Sequence, residues 1–161
     1  MRCTLAAGVA ALVLLAAGVS GTVQAQQQSG SGTATYVPVK TKTTELPDGT
    51  MLQRVHSQSV VMADDPAAVP FHMSPQDCFG ANHLDADGTM VVGRGYCDAM
   101  DRDGDVWWIW WTSSPTGGTW GFMGGTGKYA GIEGGGTTMP QGQTPDGRLV
   151  ITWEGTWEME M

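Results

Sequence analysis

Asp98, Asp101, Asp103 and Asp105 crowd the segment CDAMDRDGDVWW, and closely spaced carboxylates of this kind are the hard oxygen ligands that calcium takes. The EF-hand register tests that chemistry. With Gly104 at the sixth loop position, Asp101 and Asp103 fall correctly at the third and fifth, but Ala99 stands at the first and Trp110 at the twelfth. Two essential ligands are missing, so the EF-hand is excluded. Asp101, Asp103 and Asp105 remain as a looser cation site at a turn, set against an ordinary Asp-rich turn whose carboxylates accept from backbone N–H groups. Cys78 and Cys97 flank Asp77, His83 and Asp98, which raises zinc, but no CxxC spacing is present. His56, His72 and His83 are too far apart for a local metal motif, and no Ser has a nucleophile-elbow context.

The run GGTGKYAGIEGGGTT, Gly124 to Thr138, has the glycine density of a phosphate loop. A Walker loop would need Gly where Phe122 stands and Ser or Thr where Tyr129 follows Lys128, and the dinucleotide fingerprint needs a helix that these glycines would not form. Strand, tight bend and strand is the better reading.

Tryptophan supplies the remaining chemistry. In Val106 to Trp111 (VWWIWW), Trp107, Ile109 and Trp111 point one way, and Val106, Trp108 and Trp110 the other. Both faces of that strand need cover. One serves the core; the other calls for a second subunit, a covering segment or an exposed binding patch. From Leu149 onward Ile151, Trp153, Gly155, Trp157 and Met159 alternate with Thr152, Glu154, Thr156 and Glu158, which marks one buried and one polar face. Gly155 between two indoles leaves room either for a ligand or for a neighbouring Trp.

The elements that must position these residues are strands. The chain has 161 residues with 24 Gly and 8 Pro, which suits one domain and disfavours long helices. Short runs rich in Val, Thr, Trp and Tyr predict strands at Ala34 to Lys42, Met51 to Met62, Thr89 to Cys97, Val106 to Thr112, Thr119 to Met123, Gly136 to Met139 and Leu149 to Met159. Turn chemistry at Pro47-Asp48-Gly49, Asp87-Gly88, Asp103-Gly104, Pro115 to Gly118 and Pro145-Asp146-Gly147 separates several of them. This spacing suits an all-β sandwich or a closed barrel.

Met1 and Arg2, the apolar run Leu5 to Val19 and the small-residue site Val23-Gln24-Ala25 read as a secretory signal cleaved after Ala25. Cys3 is too early for a lipid-modified cysteine. Gln26 to Thr33 reads as a disordered leader, followed by a single domain over residues 34–161. Export to the periplasm or the cell exterior favours oxidation, so Cys78 and Cys97, left as a pair, are expected to form a disulfide. Eight Lys and Arg against sixteen Asp and Glu give a net charge of −8, which signal removal makes one unit more negative because Arg2 is lost. A nucleic-acid partner is disfavoured, and so is a membrane partner once the signal is removed. No cofactor is indicated.

The segment GTGKYAGIEG, with a Trp-containing strand before it and GRLVITWEGTWE after it, resembles the allene oxide cyclase and dirigent-like β-barrel group, above all its exported bacterial members. The resemblance covers roughly Thr89 to Met159. It implies a small, antiparallel, eight-stranded closed barrel of calycin-like form, with a mostly apolar cavity and often an oligomeric state. On that reading Trp107, Trp111, Trp153 and Trp157 would line a cavity for a small apolar or aromatic molecule. A cyclase or isomerase would instead need a lumen carboxylate, for which Glu154 and Glu133 are the candidates, although the parity of Glu154 sets it opposite Trp153 and Trp157. A third reading is a surface protein that contacts carbohydrate or a protein partner, such as a second copy, through exposed Trp.

Overall fold

Four of the connections share one design. Leu46 to Thr50, Asp85 to Thr89, Asp101 to Asp105 and Thr144 to Arg148 each carry Asp-Gly at the third and fourth positions. In each, the first residue's N–H bonds to the fifth residue's carbonyl and the glycine N–H bonds back to the first. The glycines sit at φ of 83°, 83°, 88° and 84°, the left-handed region where a side chain is disfavoured. Such turns return the chain antiparallel to itself, and so an up-and-down sheet follows.

The computed structural model describes residues 26–159. Residues 1–25, read above as a signal and including Cys3, lie outside the described residues. The strands are β1 (Gln26–Glu45), β2 (Met51–Ala63), β3 (Pro75–Leu84), β4 (Met90–Met100), β5 (Val106–Ser114), β6 (Gly117–Gly125), β7 (Glu133–Gln143) and β8 (Leu149–Met159). A single 3-10 turn, Gly127–Tyr129, lies between β6 and β7. Each strand pairs with its chain neighbours and β8 pairs with β1, which closes an eight-stranded antiparallel barrel. No helix among the described residues is long and apolar enough to cross a membrane.

Two expectations are corrected. Gln26 to Thr33 is not a disordered leader: it forms the start of β1, in register with Thr152 to Met159 of β8. Its small residues are what the site demands, because a Cβ on Gly30 would lie 2.7 Å from Val69 Cγ2 and 3.0 Å from Trp157 Cη2. Gln28 Oε1 also accepts the Trp157 indole N–H at 3.0 Å. The second correction is β3, which composition did not predict, because its inward positions are Gln76, Cys78, Gly80 and Asn82 instead of a branched apolar row.

Alternation of strands puts the β1–β2, β3–β4, β5–β6 and β7–β8 turns at one end. The other end is closed by the segment between β2 and β3, which buries Val69, Phe71 and Ser74. Phe71 is the hub of the core, its ring centre 5.3 Å from that of Trp107, 5.7 Å from Trp153 and 4.9 Å from Trp157. The segment is held by Ala63 N–H on His72 Nδ1 (3.0 Å) and by Met73 N–H on the Val61 carbonyl (2.8 Å).

Cys78 and Cys97 face each other across β3 and β4 and are joined by a disulfide, both buried in the inner wall. The bond spans 19 residues, and closing a loop of that size stabilises by about 3 kcal/mol on the chain-entropy account. The Cys78→Ser/Cys97→Ser double variant is therefore expected to lose about 2–4 kcal/mol in urea unfolding, with its barrel signature retained in circular dichroism.

Candidate functional site

The inner face of the barrel encloses a cavity of about 420 Å³. It opens at the turn end, where Pro115, Gly147 and Leu149 belong to its rim, and Phe71 belongs to its floor. The deep walls are unequal. β5, β6 and β8 contribute Trp107, Ile109, Trp120, Phe122 and Trp153, whose rings meet edge to face: Trp120 with Phe122 at 5.3 Å and with Trp153 at 6.4 Å. β1, β2 and β3 contribute Tyr36, Ser57 and Gln76. Among the described residues, no Asp, Glu, Lys, Arg or His lines the cavity.

Of the indoles expected at such a site, Trp107, Trp111 and Trp153 line the cavity. Trp157 does not: it is fully buried on the closed side, packed on Phe71 and Gly30. Sequence reasoning missed Trp120, Phe122 and Phe71 as lining residues, and Tyr36 and Gln76 as its polar groups. The alternation Trp120-Gly121-Phe122 was too short to show which residues of β6 turn inward. Glu154 and Glu133 are corrected as lumen carboxylates. Both are exposed, and Glu154 accepts a hydrogen bond from Thr137 Oγ1 at 3.2 Å on the outer surface. Lumen parity on β8 belongs to Trp153 and Trp157, which leaves Glu154 outside.

Among the described residues, Tyr36 is the one titratable side chain lining the cavity. Burial pushes its phenol up to about 12, the neighbouring Ser59 hydroxyl offsetting only a part. The phenol therefore keeps its proton near neutral pH. Ser59 and Gln76 are also buried, and Ser59 Oγ donates to Gln76 Oε1 at 2.6 Å.

The three aspartates considered for a cation converge on a cation that the chain supplies itself. Lys128 Nζ lies 2.5 Å from Asp101 Oδ2, 2.5 Å from Asp103 Oδ2 and 4.0 Å from Asp105 Oδ2. Asp101 Oδ1 accepts the backbone N–H groups of Asp103 and Asp105 at 2.9 and 3.1 Å. The buried Tyr129 hydroxyl stands 2.9 Å from Asp101 Oδ2 and 3.0 Å from the Pro70 carbonyl, so its proton is shared between the turn and the segment that closes the barrel. This cluster is a latch beneath the cavity floor.

No protein-family model and no curated protein sequence matches the chain. Solved structures do. The pterocarpan synthase dirigent protein GePTS1 is similar with a TM-score of 0.56 and 12% identity, over 93% of this chain and 100% of its own. A second pterocarpan synthase dirigent protein, PsPTS1, is similar with a TM-score of 0.54 and 10% identity, over 84% of this chain and 97% of its own. The fold is that of the dirigent barrels. At such identity the likeness is one of architecture, and it leaves the chemistry of the dirigent-type lumen to be read from this chain's own residues.

Burial would raise the Asp101 carboxyl, but the hydrogen bonds from Lys128, Tyr129 and two backbone N–H groups outweigh it and hold the carboxyl below its ordinary 3.8. Hydrogen bonds from Asp101 and Asp103 hold the Lys128 ammonium above its ordinary 10.5. A lowered acid stabilises above 3.8 and loses its contribution as pH falls through the folded value; a raised base stabilises below 10.5 and loses its contribution as pH rises through its own. Asp101→Asn is expected to cost about 1–3 kcal/mol at neutral pH and to flatten the acid limb of the stability curve below about pH 4, measured by urea unfolding across pH.

Proposed function

We propose that the mature chain is an exported protein that binds a small aromatic or apolar molecule inside the barrel. One observation carries the reading: a cavity of about 420 Å³, open at one end, walled by indoles and lined by no charged side chain. That size and lining suit a guest of a few fused rings, held chiefly by the apolar area it removes from water. The disulfide and the signal-like first 25 residues support placement in an oxidising compartment.

A cyclase or isomerase reading, prompted by the synthase activity named for the two similar dirigent proteins, asks for a group that takes or gives a proton. Among the lining residues only the Tyr36 phenol titrates, and at about 12 it serves as a hydrogen-bond donor and not as a base. The lining supports binding. Ethylnaphthalene is expected to bind saturably by isothermal titration calorimetry, and Val55→Trp, which fills the cavity from β2, to weaken it by about tenfold or more with the melting curve retained. Absence of saturable binding in the wild type would remove the reading.

The outer face of β5 favours a second, compatible role. Trp110 is 42% exposed and lies over Gly121, where a Cβ would come within 2.7–2.8 Å of three indole atoms; Trp108 lies over Gly124 in the same way at 3.3 Å and beyond. Tyr96, the cross-strand partner of Trp110, is also exposed. We propose this aromatic surface as the contact for a second copy of the chain. Trp108→Ser/Trp110→Ser is expected to yield a folded monomer by light scattering where the wild type is larger; a monomeric wild type would overturn it.

A further inference from the structure

The cavity's two walls differ in chemistry, and the difference names the guest. In an eight-stranded ring β2 lies opposite β6, so the aromatic pair Trp120 and Phe122 looks across the lumen at Ser59 and its neighbours. There Tyr36, Ser59 and Gln76 form one cross-strand row: Tyr36 is in register with Ser59, and Ser59 with Gln76. Alternation along each strand turns all three inward.

The hydrogen bonds within that row leave an unbalanced remainder. Gln76 is 4% exposed, and its Oε1 is taken by the Ser59 hydroxyl at 2.6 Å. No hydrogen bond among the described residues holds its Nε2, and that atom is not sealed from solvent, so the two N–H donors of the primary amide are open to the cavity. The Tyr36 phenol, kept protonated by burial, lies in the same row. The indole N–H groups of Trp107, Trp120 and Trp153 also lack an acceptor among the described residues, but all three are sealed from the lumen, so the amide and the phenol are the donors a guest can reach. What remains unspent on the deep walls is donor capacity. A guest that covers these donors without offering an acceptor leaves them unpaired away from water, so a guest that brings an acceptor binds better than one that brings only apolar surface.

Donors alone would also suit an anion, but the electrostatics oppose it. No lining residue is cationic, and the chain carries a net charge of −8. Moving a carboxylate into an apolar cavity without a partner cation costs far more than neutral hydrogen bonds return.

We propose that the lumen selects an uncharged aromatic carbonyl compound, its rings against Trp120 and Phe122 and its oxygen accepting from Gln76 Nε2. This rests on the binding reading above and adds the class of guest. Three probes of nearly equal size test it by calorimetry: acetylnaphthalene, ethylnaphthalene and naphthoate, substituted at the same ring position. The ketone is expected to bind about tenfold tighter than the hydrocarbon, the value of one good hydrogen bond, and naphthoate more weakly than either. In Gln76→Leu the ratio of ketone to hydrocarbon affinity is expected to fall to about one. If that variant fails to fold because the Ser59 hydroxyl loses its acceptor, Ser59→Ala/Gln76→Leu removes both partners together and serves in its place. A wild type that binds ethylnaphthalene as tightly as the ketone, or naphthoate more tightly, overturns the proposal while leaving the binding reading intact. A ketone preference that survives loss of the Gln76 amide overturns the assignment to that residue. If none of the three probes binds, the binding reading itself fails.

Discussion

The barrel depends on indoles packed against glycine. Eight strands enclose barely enough space for side chains, so several of the indoles inside are seated where a neighbouring strand has no Cβ. Trp120 lies on Gly155, where a Cβ would stand 2.5 Å from Cζ2 and 3.0 Å from Cη2. Trp111 spans Gly80, Gly93 and Gly95 of β3 and β4, and Trp157 rests on Gly30. Outside the barrel the same device recurs at Trp110 over Gly121 and Trp108 over Gly124. Glycine in a strand interior weakens it. Here the loss is offset by the aromatic area each glycine lets the neighbouring strand bury.

That pairing explains why the cavity is where it is. Toward the closed end Trp107, Trp153 and Trp157 meet around Phe71, and the lumen is filled. Toward the turn end Trp111 is folded down onto glycines, and the facing residues shrink to Ser57, Ser113 and Thr138, so space remains. The two ends are also held differently. Short Asp-Gly turns frame most of the open end, whereas the floor is a longer segment fastened through Tyr129, Asp101 and Lys128. A fastened floor under an open cavity leaves the space already formed, which is the preorganisation the proposed binding would use.

Much of this was legible in the sequence wherever large residues alternate. The parity of Trp107, Ile109 and Trp111 against Trp108 and Trp110 needed only the period of a strand, and so did that of β8. The Asp-Gly turns and the cysteine pair were equally plain. The start of β1 and the whole of β3 were not, because a strand whose inner positions are glycine, serine or glutamine carries no hydrophobic period. Those are the very strands that receive an indole or build the polar wall. Gly155 shows the limit: its spacing left ligand and neighbour as equal readings, and only the register of β6, β7 and β8 makes Trp120 the occupant.

The same register decides the chemistry of the lumen. Each row around the barrel joins residues distant in sequence, so Tyr36, Ser59 and Gln76 become one polar group only after closure. The carboxylates sort the other way. Glu154 faces water and Asp101 is neutralised by Lys128 beneath the floor, so neither places charge in the cavity. An acidic chain thereby keeps an uncharged interior, and the polarity that reaches the lumen includes the Gln76 amide and the Tyr36 phenol. Such groups discriminate by where an acceptor sits on a neutral guest, since a misplaced or absent acceptor leaves them buried and unpaired. On the proposed binding reading, selectivity would follow from hydrogen-bond geometry across the lumen and not from net charge.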